Sequence, residues 1–410
     1  MGRGSTPFGR AWLGGFIGIV GAVLASPAAA QESSTIEPLK IGLLSDMSGI
    51  VADLSGPGSV AAARLAIEDH GKVLGRPVVL LTGDHLNKPD VGLPIARQWY
   101  DEGVRAIFDV GITSVALGVQ KLAREKDRIV VFGSTASADI TGTACSPNGI
   151  HWTYNSYSQS RGVVRALAAE NAKSWYFLTV DYAYGKQVQR DTTAMVEAQG
   201  GRVLGAVAHP FETRDFSSFL LQAQASKAEV VGLATTTSHA ANLIKQADEF
   251  GIRDGGQKLA PLSLTLHDVK GLGLKAAQGL LVTEAYYWDQ NDETRAFATR
   301  YKARVGKMPN MIQAGMYGAV LHYLKAVNRA GTDDTAKVVA AMRAMPINDF
   351  MTKDGGIRED GRVMRDQYVL RVKAPAESKG EWDLYSVVER LPPDVAFAPA
   401  DPKACPLVKG

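Results

Sequence analysis

Lys40-Ile-Gly-Leu-Leu-Ser-Asp-Met-Ser-Gly-Ile-Val-Ala-Asp-Leu-Ser-Gly-Pro-Gly-Ser59 is the stretch on which the fold turns. Its apolar opening, Leu39 to Leu44, has the pattern of a buried parallel strand, and a polar Gly/Ser loop then leads into a helix from about Ser59 to Asp69. Open α/β sheets place ligands at such strand ends, facing a helix N-terminus. Gly56-Pro57-Gly58-Ser59-Val60-Ala61 also spells G-x-G-x-x-A, the dinucleotide fingerprint. About a dozen residues separate Leu44 from Gly56, however, and Pro57 stiffens a loop that would have to approach a pyrophosphate. Asp84, at the end of the second strand, is the one point in favour of an NAD-dependent enzyme, which stands as the remote alternative.

Upstream, Arg3 and Arg10 flank an uncharged apolar run (Ala11 to Leu24), and Ala28-Ala29-Ala30 offers a small-residue cleavage site before Gln31. These are the parts of an export signal, cleaved after Ala30, and they point to a periplasmic protein. There is no Arg-Arg pair, which favours the general secretory route over the twin-arginine route. Without Arg3 and Arg10, 43 basic side chains face 42 acidic ones, a balance that draws the chain neither to nucleic acid nor to an anionic membrane. The 380 residues from Gln31 onward suit two globular units.

Cys145 and Cys405 are the only cysteines. In an oxidising compartment such a pair is most simply a disulfide, two buried thiols being the alternative. The histidines are scattered, no Cys/His cluster has metal-ligand spacing, and G-x-S-x-G, H-E-x-x-H and a phosphate loop are all missing. Neither a cofactor nor catalysis is expected.

Strand-like and helix-like segments alternate from Val78 to Phe132 and again from Gly162 to Thr283, which predicts parallel sheets with helices on both faces. Glu293 to Met345 reads as helix broken at Met308-Pro309 and Gly331, and Arg362 to Val372 as a hairpin.

Seven ordered motifs carry a resemblance: Ile41-Gly-Leu-Leu-Ser-Asp-Met-Ser-Gly49, Gly83-Asp84, Gly111-Ile-Thr-Ser114, Phe132-Gly-Ser-Thr135, Asp181-Tyr-Ala-Tyr-Gly185, Asp215-Phe-Ser217 and Gln278-Gly-Leu-Leu-Val282. From Leu39 to about Lys373 the chain resembles the periplasmic solute-binding proteins of ABC importers, leucine/isoleucine/valine-binding type. The resemblance implies an α/β fold of two doubly wound parallel-sheet lobes joined by three hinge crossings, the type I periplasmic binding protein fold. It places the crossings near Asn155 to Ser160, Glu284 to Asp289 and Pro346 to Gly355. The first lobe would comprise 36–157 plus 289–346, the second 158–284 plus 350–390, and 391–410 would form a tail. A small molecule closes such lobes by binding the closed form better than the open one.

Carried over by likeness, the ligand loops fall on Ser48, Asp53 and Leu54, on Thr113 and Ser114, and on Ser134, Thr135 and Ala136. From the second lobe come Asp181, Tyr182, Tyr184, Thr236 and His267, with Tyr286 extending an aromatic wall. Hydroxyls and backbone N–H groups of the second and third loops would hold a carboxylate. Where relatives that bind amino acids keep a glutamate for the ligand ammonium, the matching position here is His267, with Asp268 beside it, and a helpful threonine is replaced by Ala136. The resemblance therefore implies a monomeric receptor that delivers an aromatic or hydrophobic acid, in preference to a branched-chain amino acid, to permease subunits. A ligand sensor for chemotaxis with the same fold is the alternative.

Overall fold

The computed structural model describes Gly15 and residues 37–409. The export signal and its cleavage point lie outside the described residues, Gly15 apart. The strands β1 (Leu39–Ser45), β2 (Val78–Asp84), β3 (Ala106–Asp109), β4 (Ile129–Phe132) and β5 (Gly149–His151) form a parallel sheet in the order β2-β1-β3-β4-β5. Leu39, Ile41, Leu43 and Leu44 are fully buried because β1 has strands on both sides and helices on both faces. The edge strand β2, in contrast, leaves Val79 exposed. Helices α1 (Gly56–His70), α2 (Pro89–Asp101) and α3 (Thr113–Glu125) connect these strands. A Cβ on Gly42 would lie 2.4 Å from the Trp99 ring, so the missing side chain is what lets α2 sit against β1.

A second parallel sheet, ordered β7-β6-β8-β9, follows α4 (Ser156–Ala169). It is built from β6 (Ser174–Val180), α5 (Ala183–Ala198), β7 (Arg202–His209), α6 (Ser217–Ala225), β8 (Val230–Ala234), α7 (Thr237–Glu249) and β9 (Lys258–Pro261). The short helices α8 (Leu266–Leu272) and α9 (Leu274–Ala277) then lead to β10 (Leu281–Glu284). In both sheets the chain steps first to one side of its opening strand and then to the other. Such a reversal leaves a crevice at the carboxyl ends of β1 and β3, and of β6 and β8.

The chain next adds α10 (Asp292–Val305), α11 (Met311–Ala330) and α12 (Thr335–Ala344) to the first lobe. Asn291 and Asn310 cap the first two through their side-chain oxygens, and left-handed Gly306 and Gly331 end them. Ala62, Ala63 and Ala66 of α1 share a core with Ala314 and Ala319 of α11, small residues that allow a close helix pair.

The third crossing differs from the expected one. Phe350 stacks on Phe297 with centroids 4.1 Å apart, and Met351, Ile357 and Val363 pack in the first lobe, although 350–390 were assigned to the second. Arg362 to Val372 is no hairpin. β12 (Val363–Met364) pairs with β11 (Gly356–Ile357), Arg362 bridges to His151, and the chain crosses over before β13 (Gln367–Val372). There β13 lies between β10 and β14 (Tyr385–Leu391) in an antiparallel sheet. The apolar residues at 350–357 want burial, and the first lobe supplies it. After the short α13 (Pro393–Ala396), Phe397 lies under the Arg362 guanidinium at 4.7 Å, and Cys405 forms the disulfide with Cys145, Cα atoms 5.8 Å apart.

Candidate functional site

The loop after β1 is knitted internally before it can touch anything else. Asp46 accepts hydrogen bonds from Gly49 N (2.6 Å), Val51 N (3.0 Å) and Asn87 Nδ2 (2.7 Å). Ser48 donates to Asp84 at 2.7 Å and is exposed at the rim. Asp53 points its carboxylate outward to Lys307 (3.1 Å), while its carbonyl accepts from Gln313 Nε2 (3.2 Å). The Leu54 carbonyl accepts from Asn310 Nδ2 at 2.9 Å. The Asp53 and Leu54 carbonyls thus fasten this loop to the start of α11, while Ser48 ties it to the end of β2.

The loop after β3 is strained. Asp109 and Val110 have φ of +79° and +51°, a left-handed conformation that a β-branched residue adopts only when its surroundings impose it. Immediately after it, α3 begins at Thr113 with no side-chain cap, leaving its first N–H groups for another acceptor. Thr113 is half-buried and Ser114 exposed at that end. Ser134, after β4, is buried with its Oγ unpartnered, and its carbonyl accepts from the Tyr154 hydroxyl at 3.0 Å. Thr135 differs from the expected role: its hydroxyl donates to the Val110 carbonyl, so it locks the two loops together. Ala136 touches the cores of both lobes.

Behind these loops Asp109 is fully buried, and neither carboxylate oxygen has a partner. Desolvation raises its pKa, opposed by the hydroxyls of Ser134, Ser45, Ser59 and Ser55 around it.

From the second lobe, Tyr184 stands in the first turn of α5, buried, its hydroxyl pushed up to about 12 by desolvation against the opposing Ser263 hydroxyl. Tyr182 is half-buried, edge-on to Phe211 at 6.0 Å, and Asp181 turns outward to Lys186 (2.8 Å). Thr236 leads into α7 and pairs with His239 Nδ1 at 3.1 Å.

His267 and Asp268 diverge. The ring nitrogens of His267 face the carbonyls of Asp53 (3.0 Å) and Met308 (2.7 Å), so the histidine spans the lobes. Asp268 turns the other way, accepting from Thr265 N (2.9 Å) and Oγ1 (2.6 Å), with burial raising its carboxyl. Its charge is felt by Tyr154, Glu284 and Tyr385. Glu284, fully buried at the second crossing, accepts from Tyr385 Oη at 2.9 Å, and desolvation pushes it up to about 8.

Tyr286 does not reach the cleft. Its ring lies among Phe297 and Phe350 in the first-lobe core, and its hydroxyl donates to Thr294 O at 3.4 Å. Tyr287 and Trp288, which follow it in the chain, donate to Trp382 O at 3.2 and 2.8 Å. Sequence reasoning passed over Tyr154, Ser263, Asp109 and Glu284. The available signal was a lone carboxyl closing an apolar run, as in Ala106-Ile-Phe-Asp109 and Leu281-Val-Thr-Glu284. Among the described residues no group of three or more His, Cys, Asp or Glu could hold a metal, and no helix is long and apolar enough to cross a membrane.

Comparison with known proteins gives this geometry a context. A family model described as periplasmic binding protein matches residues 38–381. The Leu/Ile/Val-binding protein homolog 6 of Brucella suis is 23% identical over 360 residues, spanning 85% of this chain and 90% of that protein. A periplasmic binding protein from Burkholderia mallei is 41% identical with a TM-score of 0.85, over 88% of this chain and 96% of that one. A branched chain amino acid ABC transporter periplasmic ligand-binding protein from Burkholderia xenovorans is 43% identical, with a TM-score of 0.81 over 88% and 97%. At 22% identity and a TM-score of 0.79, over 87% and 98%, a Rhodopseudomonas palustris solute binding protein solved with 4-hydroxybenzoate shares the fold.

Proposed function

The chain belongs to the periplasmic binding protein family, and from that premise we propose that it captures a small carboxylate between its lobes for delivery to an ABC permease, an aromatic or hydrophobic acid in preference to a branched-chain amino acid. The observation that carries this reading is the uncapped start of α3. It follows the strained Asp109–Val110 pair and is flanked by the hydroxyls of Thr113, Ser114 and the unpartnered Ser134. N–H groups at a helix start and neighbouring hydroxyls can hold an anion without a lysine or arginine. The Rhodopseudomonas palustris protein, of the same fold and solved in complex with 4-hydroxybenzoate, supports the acid.

The proposed contact set is narrower than sequence likeness implied: Thr113, Ser114, Ser134 and Ala136 from the first lobe, Tyr154 at the first crossing, and Tyr184, Thr236 and Asp268 from the second. Calorimetry with benzoate, 4-hydroxybenzoate and leucine tests it. Tight leucine binding with none for either acid would sink the preference.

The amino-acid reading draws on one specific observation. Asp268 lies within electrostatic range of both Tyr154 and Glu284, and its carboxyl is a group to which an ammonium would be drawn. The export signal completes the proposal, and N-terminal sequencing of the protein from periplasmic extract should begin at Gln31.

A further inference from the structure

Two arginines are buried at the third crossing. Arg362 and Arg365 are 0% and 1% exposed, and they stand where the chain leaves the β11–β12 pair of the first lobe for β13. A guanidinium stays charged in a protein and carries five N–H donors. Arg362 donates from Nε to the Val363 carbonyl (3.0 Å) and from Nη1 to the Tyr154 carbonyl (2.8 Å), and its Nη2 reaches no acceptor in the protein. Arg365 is less well served. Its Nη1 meets the Met351 thioether at 3.1 Å, a weak acceptor, and its Nε and Nη2 reach none. Its guanidinium lies over the Trp152 ring at 5.2 Å, where the Trp152 Nε1–H is unpartnered as well.

The charges do not balance either. Of the carboxylates that act on the pair, Asp360 is taken by Arg358, from Nε to both oxygens at 3.1 Å and from Nη2 to Oδ2 at 2.7 Å. Asp349 spends Oδ1 on the N–H groups of Met351 (2.8 Å) and Thr352 (2.7 Å). Three guanidinium groups thus share two carboxylates. The neighbouring rings add no negative charge: burial keeps His151 neutral against the Thr135 carbonyl (2.7 Å) and lowers His322 to about 4 beside the Met342 carbonyl (2.9 Å). Lys325 of α11 only adds to the positive side. Burial lowers the pKa of both arginines, Arg365 to about 10, and the Arg365 charge lowers Arg362 further. An uncompensated buried charge is costly, and losing a proton is not open to arginine, so the missing charge has to come from elsewhere.

We propose that this cluster is a binding site for one small monovalent anion, of the size and charge of chloride, held by Arg365 Nε and Nη2 and by Arg362 Nη2. One negative charge closes the balance. Water could satisfy the N–H groups but would leave the charge uncompensated, and a polyatomic dianion would overshoot it. The chain's tail covers the cluster: the Phe397 ring lies against the Arg362 guanidinium at 4.7 Å, and the Ala398 carbonyl accepts from Arg358 Nη1 at 2.8 Å. Arg362 also bonds to Tyr154, whose hydroxyl donates to the Ser134 carbonyl at 3.0 Å. The anion therefore braces the third crossing against the first, behind the cleft and apart from any ligand held in it.

Two measurements test the site. Crystals soaked in sodium bromide, with data collected above the bromine absorption edge, should show an anomalous peak at hydrogen-bond distance from Arg365 Nε or Nη2. Thermal unfolding gives the reading in solution. At equal ionic strength the midpoint in sodium chloride should exceed that in sodium gluconate, whose anion is too large, by about 2 °C, the shift expected for a ligand at roughly ten times its dissociation constant. Arg365→Gln should abolish the difference, with Arg365→Met as a second variant should the first misfold. Arg390→Gln removes an exposed arginine paired with Asp366 and should leave the difference intact. A water in place of the peak, bromide on the surface alone, or a chloride effect that survives Arg365→Gln would overturn the site. So would a bromide peak with equal midpoints in the two salts, the mark of an ion bound at crystal concentration only.

Discussion

The two lobes share a strand order and differ in what they show at their strand ends. The first presents hydroxyls, bare N–H groups and strained backbone: Thr113, Ser114, Ser134 and the left-handed Asp109 and Val110. The second presents rings and carboxyls: Tyr184, Tyr182 with Phe211, Asp268, and Glu284 at the crossing. On the proposed reading, a small molecule with one anionic end and one ring would meet a matching wall on each side, which would fix its direction as well as its place. Each lobe also buries a lone acid at a strand end, Asp109 after β3 and Glu284 after β10, but in different company. Four serines surround the first, and a single tyrosine hydroxyl serves the second.

The lobes differ again in how they are fastened, and the largest expected effect tests this. The first lobe holds the end of the chain through Cys145–Cys405, a link closing 260 residues. Cys405→Ser should lower unfolding free energy by up to about 5 kcal/mol in the chain-entropy model. A urea midpoint that does not move would mean that the tail is held by Leu391, Ala396 and Phe397 alone.

A smaller effect separates the two buried acids. An unfolded glutamate loses its proton near pH 4.3, whereas burial holds Glu284 protonated up to about pH 8. Between those values the folded state carries a proton that the unfolded chain lacks. Its contribution is therefore complete below the lower value, drains away as pH rises through the upper one and is gone above it. Glu284→Gln should flatten the stability profile across this window and leave the protein a few kcal/mol more stable than its parent at pH 9. Urea unfolding at pH 5, 7 and 9 reads the slope. An unchanged slope would assign the behaviour to Asp109 or to neither acid.

Much of this architecture is legible in the chain. The apolar run at Leu39 to Leu44, the alternation that follows, and the breaks at Met308-Pro309 and Gly331 mark elements whose periodicity is local. What is not legible depends on partners far away. Arg362 to Val372 alternates as a hairpin would, yet its halves pair in different sheets, because Val363 is claimed by one core and Val369 by the other. The site follows the same division. Ser134 sits on a loop after β4 and Tyr184 in the first turn of α5, both at strand ends whose place follows from the strand order. His267 and Asp268 are neighbours in sequence but point apart, since each helical residue turns about 100° from the last, and only the phase of α8 decides which faces inward. Tyr286 looked like a cleft aromatic because the chain crosses there, but the crossing turns it into the first-lobe core beside Phe297.

The finest test sets one hydroxyl of each lobe against the other. Ser134 Oγ is buried with no hydrogen-bond partner, the nearby Asp109 carboxyl being its competing acceptor, so a bound carboxylate would gain a charge-assisted bond. Tyr184 lies near Ser263, so its hydroxyl has an alternative partner when the cleft is empty. Ser134→Ala should therefore weaken 4-hydroxybenzoate binding by about 2 kcal/mol, roughly thirtyfold, the loss expected for a hydrogen bond to a charged group. Tyr184→Phe should cost about 1 kcal/mol, roughly fivefold, because the ring that walls the ligand is kept. The double variant should lose the sum of the two, since the hydroxyls would grip opposite ends of the ligand and share no partner. Calorimetry of the four proteins decides it. A larger loss at Tyr184 than at Ser134 would turn the ligand around, placing its carboxylate against the second lobe. A non-additive double variant would mean that both hydroxyls hold the same group.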